Sequence, residues 1–197
     1  MVIRSYIDES RGPNQTFALG CAIAKGTEWT WIRRDWKRCL DRKNRELKLQ
    51  GRKRISRYHA SDCESRVGEF LQWDVPEKNN FVKELISIIS KHHIHIVGFR
   101  LDLTDLLELF PQIDANYAEK AAYGVLAWLL FPEVVKEAYH FDSQPVVKLV
   151  YEHGDVAQHM PLAYDRMEAS RPFGSVFDSI EKGSWKVLPL QVADLTI

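Results

Sequence analysis

The chain has 197 residues, 45% of them hydrophobic and 27% charged, enough for one well-packed domain of ordinary globular composition. Its longest apolar run, residues 121–131, is too short to cross a bilayer, and no basic lead and apolar stretch open the chain, so a cytoplasmic protein is expected. The formal net charge is zero, but residues 33–57 hold twelve of the 27 Lys and Arg and three of the 27 acids, which leaves a balance of −9 elsewhere. A basic segment on an acidic body points to a polyanion partner and a separate cation or acid-chemistry site. The plainer reading is a solvated amphipathic helix.

Taken in chain order, residues 2–8 (VIRSYID) read as a strand and 16–25 (TFALGCAIAK) as its hairpin partner. Residues 28–32 (EWTWI) read as a short third strand. A basic helix is expected over 33–49, with Trp36, Leu40 and Leu47 on one side and Gly51 as its stop. A loop then leads into a short helix capped by Ser61 or Asp62. Residues 76–93 form a strong helix, with Phe81, Val82, Leu85, Ile86 and Ile89 on one face. Residues 94–103 alternate as a strand, and 115–139 are helical with a break near Pro132. A buried strand at 145–154, a helix at 155–170, a strand and turn at 174–185 and a final helix from 188 complete the chain. No repeat or linker divides it, so a single α/β domain with a mixed sheet is expected.

Cys21, Cys39 and Cys63 are widely spaced and form no CxxC pair, which fits buried free thiols better than a zinc site. No GxSxG, Walker loop or HExxH is present. The histidines of 91–95 (KHHIH) look metal-like but read more readily as a helix end favoured by the dipole. His153 and His159 are expected at the surface, with His153 beside the site, and Asp142 and Asp155 in loop or cap roles.

Three carboxylates stand at strand ends or in a helix start. Asp8 ends the first strand, Glu152 ends the strand 145–154, and Asp194 lies in the last helix. Functional groups in α/β sheets collect at strand ends. Acids that meet there repel unless cations bind, and hard ions such as Mg²⁺ take oxygen ligands. Each acid alone reads more readily as a turn former, a solvated charge or, for Asp194, a partner of the helix dipole, and spacing does not show that they converge. Asp8 is followed by Glu9, which must point to the other face of a strand. His59 and Asp62 are three residues apart, suiting either proton transfer or a cap beside an exposed histidine. Arg33, Arg34, Lys37, Arg38, Arg52, Lys53 and Arg54, with Trp29, Trp31 and Trp36 nearby, offer phosphate pairing and base stacking; core packing is expected for at least one of these tryptophans.

The motifs YIDES (6–10), YHASD (58–62) and PLQVAD (189–194) resemble the family catalogued as domain of unknown function number 3800. The resemblance spans nearly the whole chain in the same order. It implies a ribonuclease H-like fold, a mixed five-stranded sheet flanked by helices, and a metal-dependent nuclease acting on RNA or DNA. It places Mg²⁺ or Mn²⁺ on Asp8, Glu152 and Asp194, with Glu9 replacing or supporting Asp8 and with His59 and Asp62 as further catalytic candidates. A homo-oligomer or protein partner is compatible with it. The alternatives are a non-catalytic interaction or defence-system subunit, a small-molecule phosphohydrolase, and a metal-free glycosidase with paired carboxylates.

Overall fold

The computed structural model describes residues 2–12, 15–152, 159–169, 176–183 and 188–196. It is an α/β structure built on an open five-stranded mixed sheet flanked by helices. The strands are β1 (Val2–Arg11), β2 (Thr16–Lys25), β3 (His95–Asp102), β4 (Val146–Glu152) and β5 (Phe177–Gly183), in the order β3-β2-β1-β4-β5. The hairpin β1–β2 is antiparallel, as is β2–β3, while β4 runs parallel to β1 and β5 parallel to β4. The helices are α1 (Gly26–Leu49), α2 (Ala60–Ser65), α3 (Val75–Ser90), α4 (Leu103–Leu109), α5 (Ala118–Phe141), α6 (Met160–Ala169) and α7 (Leu188–Thr196).

Side-chain alternation divides the interior into two layers. Ile3, Ile7, Phe17, Leu19, Cys21 and Ile23 point to the face covered by α4, α5 and α6. Tyr6, Ala22, Ala24 and Val150 point to the face covered by α1, α2, α3 and α7. The small alanines of β2 leave room there for the fully buried rings of Trp29 and Trp36.

Residues 28–32 are not a strand but belong to the first two turns of α1. Aromatic and β-branched residues favour strands locally, but Trp29, Ile32, Trp36 and Cys39 recur at helical spacing and are all buried. The indole of Trp29 donates to the Arg4 carbonyl at 3.0 Å and meets the edge of Tyr6 at 4.8 Å, which fixes the helix to β1. At the other end, Gly51 follows the helix at φ +68°, a left-handed position that favours glycine. Pro132 does not break α5, which runs through it; the carbonyl it leaves without a donor belongs to Trp128, on the exposed side. The expected cap of α2 is also different: His59 holds the N-cap position, and Asp62 lies in the first turn. A short helix, α4, lies where the sequence reading placed none. Cys21, Cys39 and Cys63 are free and buried. No helix among the described residues is long and apolar enough to cross a membrane.

Gly183 ends β5 opposite Glu152, and α7 packs tightly over it. A Cβ at Gly183 would stand 2.8 Å from both Leu190 Cδ1 and Val150 Cγ1. Gly183→Ala is therefore expected to lower stability by about 1–3 kcal/mol in urea unfolding, by overpacking the joint between β4, β5 and α7.

Candidate active site

Pleat parity and strand register assemble the site. The parallel register pairs Ile7 with Tyr151, so Asp8 and Glu152 are the next residues along the two strands. Asp8 follows Tyr6 by two positions and Glu152 follows Val150 by two. Both therefore point to the face that α7 covers. Helix α7 crosses β1 and β2 there and brings Asp194 to the same place. Asp8 is only 6% exposed, and Glu152 and Asp194 are half-buried.

Two hydrogen bonds from the start of α2 lock the third acid. The Asp194 Oδ2 accepts from the Ala60 amide at 2.7 Å, and the Gln191 Oε1 accepts from the Tyr58 amide at 3.0 Å. Gln191 and Asp194 are one helical turn apart, so one face of α7 holds the 58–60 backbone at two points. The motifs YHASD and PLQVAD are thus in direct contact. His59 lies in this segment, its Nδ1 3.1 Å from Asp62 Oδ2 and 3.3 Å from Ser61 Oγ.

The electrostatics follow from the burial. Desolvation, then the charges of Asp194 and Glu152, push the Asp8 carboxyl up to about 8. Burial and Asp194 raise Glu152, and a hydrogen bond with Asp8 lowers it in part. Protonated Asp8 is the donor in that bond. Burial raises Asp194, against the Ala60 amide and the positive charges of His59 and Arg57. Three acids gathered where burial disfavours their charged forms make a site with a deficit of positive charge.

Glu9 does not join this group. Its neighbour on the other face is Tyr123, whose hydroxyl burial and the Glu9 charge push up. Among the charges acting on Asp8, that of Glu9 is the weakest. His153 and Asp155 lie outside the described residues. His159 is half-buried, and Asp142 ends α5 and accepts from the Gln144 amide at 3.0 Å. Sequence reasoning missed Gln191 and Arg57; the i, i+3 spacing of Gln191 and Asp194 was the available signal for the first.

The basic segment is more internally neutralised than its sequence suggests. Arg34 and Arg38 pair with Asp35 at 3.1 and 3.5 Å, and Lys37 with Asp41 at 3.4 Å. Arg42 pairs with Glu84. Arg52 is largely buried and held by Glu77 at 2.8 Å, so it ties the segment after α1 to α3, beside Lys43 of α1, which meets Glu77 at the same distance. Arg33, Lys53 and Arg54 are exposed and form no salt bridge with another described residue. Of the three tryptophans, Trp29 and Trp36 are core, and Trp31 is 47% exposed with the Arg34 guanidinium 4.2 Å over its ring.

The stretch 91–95 begins as a helix end, with Lys91 the C-cap of α3 and the His92 amide donating to the Ile89 carbonyl at 3.0 Å, and then enters β3. His92 follows α3 and lies between Glu28 and Asp35 of α1, at 3.2 and 3.4 Å, so two carboxylates hold it. His95 begins β3. With Glu137 and His140 it forms a group that could hold a metal ion, its ligand atoms all within 4.8 Å of one another. Asp8, Glu152 and Asp194 do not meet that spacing. A separate cleft of about 770 Å³, lined by Arg11, Thr16, Leu103, Asn116 and Glu119, opens on the α5 face and does not contain the acids.

No family model matches the chain, and no curated protein matches it.

The raised carboxyls set the sign of the pH dependence. Folded Asp8 keeps its proton up to about pH 8, whereas the unfolded chain releases it near 3.8. The folded state thus binds more protons between these values, and stability falls as pH rises through that window. In chelator, the melting temperature is expected to fall from about pH 5 to about pH 8.5, and Asp8→Asn to flatten that fall. Equal slopes in the two proteins would remove Asp8 as its source.

Proposed function

We propose that the chain is a divalent-metal-dependent nuclease with a ribonuclease H-like fold, hydrolysing phosphodiester bonds of RNA or DNA. The observation that carries this is the meeting of Asp8, Glu152 and Asp194, from three distant segments, on one face at the ends of two parallel strands. A mixed five-stranded sheet with acids on the first strand, the fourth strand and the last helix is also what the resemblance to the family of unknown function number 3800 implies.

The donor set fits the ion. Three carboxylates and no sulfur suit a hard dication such as Mg²⁺ or Mn²⁺, and burial leaves their charge poorly solvated. When bound, the ion supplies Lewis-acid polarisation of the phosphoryl oxygen and acidifies an attacking water. Asp8 and Glu152 hold it from the sheet. Asp194 holds it from α7, with Oδ2 committed to the Ala60 amide and Oδ1 left for the site. His59 has its Nδ1 turned to Asp62, so Nε2 is the atom that gives or takes a proton. Arg57, whose charge acts on both Glu152 and Asp194, offsets the charge of the bound phosphate. Arg33, Lys53 and Arg54 attract the nucleic-acid backbone.

A phosphohydrolase of small phosphate esters is the second reading. The ion pairing within α1 favours it, because paired Arg34, Lys37, Arg38 and Arg52 contribute less to polyanion binding.

The test compares wild type, Asp8→Asn and His59→Ala on labelled single-stranded RNA, single-stranded DNA and RNA–DNA hybrid, with a chromogenic phosphate monoester alongside. Mg²⁺, Mn²⁺ and chelator are run in parallel. Cleavage is expected only with metal, absent in Asp8→Asn and about 100-fold slower in His59→Ala. Turnover of the monoester alone would select the second reading. Metal-independent cleavage would exclude both.

Binding to the same nucleic acids is expected to weaken with salt. The Lys53→Ala, Arg54→Ala double variant should show a shallower salt slope in fluorescence anisotropy. An unchanged slope would take these two residues out of the interface.

A further inference from the structure

Edge strand β3 and the last turn of α5 bring together an unusual set of side chains. Glu137 and His140 are three residues apart on α5 and share one face. His95 opens β3 beneath them, and its Nδ1 hydrogen-bonds the Glu137 Oε2. The same oxygen lies 3.4 Å from His140 Nδ1. His93 stands behind, its Nε2 3.3 Å from the Nε2 of His95. The ring of Phe141 packs on His95 at 4.6 Å and on His93 at 4.9 Å, and so fixes both imidazoles.

We propose that His95 Nδ1, the Glu137 carboxylate and His140 Nδ1 form a second metal site, for a zinc-class transition ion, that clamps the edge of the sheet to the end of α5. Two imidazoles and one carboxylate are a borderline donor set, suited to Zn²⁺ and poorly suited to Mg²⁺. The spacing agrees with this. Two ligands on a tetrahedral ion with bonds of about 2.0–2.1 Å stand about 3.3 Å apart. The 3.4 Å between Glu137 and His140 is already that separation. The direct contact between His95 and Glu137 is a hydrogen bond, in which the ion would take the place of the proton and open the pair slightly. His93 completes the arrangement: with the ion in place of the Nδ1 proton, the Nε2–H of His95 would point at His93 Nε2, 3.3 Å away, and that contact would hold the tautomer needed for ligation. Glu137 is 19% exposed, His95 26% and His140 57%, so solvent reaches the site and supplies a fourth ligand.

The site is separate from the acids. His95 pairs with Ile23, which pairs with Ser5, whereas Asp8 pairs with Gly20, which pairs with Gly98. The two lie three residues apart along the strands and on opposite faces of the sheet. They also differ in donor chemistry, oxygen alone against nitrogen and oxygen. The three cysteines are buried and offer no competing surface thiol.

The test uses the full chain with Asp8→Asn as background, so that the carboxylate group on the other face is already impaired. Chelator-treated protein is titrated with Zn²⁺ by calorimetry and with Co²⁺ by visible absorption. Expected are one tight Zn²⁺ per chain, Co²⁺ bands of four- or five-coordinate intensity, and a rise in melting temperature on adding Zn²⁺. Adding His140→Ala, at an exposed position that should not disturb folding, is expected to weaken Zn²⁺ binding by roughly tenfold or more and abolish the rise. His93→Ala should weaken binding less and leave the Co²⁺ bands in place. An Asp8→Asn protein that takes up neither ion, or a His140→Ala double variant that binds as tightly, would overturn the proposal. Neither result bears on the nuclease reading, which rests on other residues.

Discussion

The parallel alignment of β1 with β4 is the constraint on which the rest depends. Once Ile7 lies beside Tyr151, the pleat leaves no choice about the next residue on each strand. Asp8 and Glu152 must stand together on the α7 face. Burying two carboxylates side by side is unfavourable, and the sheet accepts it only because surrounding contacts over-determine the geometry. Gly183 lets α7 approach closely. Gln191 and Asp194 then tie that helix to the backbone at 58–60. Each of these features carries α7 and the segment before α2 toward the same pair of acids. A fold indifferent to that point would have placed a hydrophobic residue at Asp8, as it does at Tyr6 two positions earlier.

Charge on this chain is organised at two scales. Locally, burial concentrates unsatisfied negative charge on three carboxyls, and the nearest positive groups that act on them are Arg57 and His59. Along α1 the basic residues are met by acids from the same helix and from α3, at Asp35, Asp41, Glu77 and Glu84. Exposed pairs of this kind contribute little stability each. They do spend positive potential that would otherwise reach solvent. Arg33, Arg45 and Lys48 on α1 and Lys53 and Arg54 after it form no salt bridge with another described residue, and the last two sit in the stretch that leads to Arg57 and His59. The positive charge free to meet an anion thus lies both along α1 and in the segment that leads to Arg57 and His59.

Much of the fold was legible where a segment's local preference agreed with its environment. Residues 16–25 alternate apolar side chains between two buried faces and are a strand with those limits. Residues 76–93 carry a helical apolar stripe after an aspartate cap, and α3 follows it closely. Residues 28–32 carry two conflicting signals: Trp, Thr and Ile favour strands, while Trp29, Ile32 and Trp36 recur at helical spacing, and packing against Arg4 and Tyr6 decides for the helix. At the site, the three acids could be picked out by their positions at element ends, but not their meeting, which is a property of register. That Glu9 leaves the group follows from alternation alone. The link from Arg52 to Glu77, and that from His95 to Glu137 and His140, join residues far apart in sequence, and no local pattern encodes them.

The central claim is that the buried acids at the ends of β1 and β4 exist to hold a cation. Diffraction from crystals equilibrated with Mn²⁺, collected where manganese scatters anomalously, tests it without reference to any substrate. The account predicts an anomalous peak between Asp8, Glu152 and Asp194. Crystals with no peak there at saturating Mn²⁺ would contradict it and leave the acids a structural group.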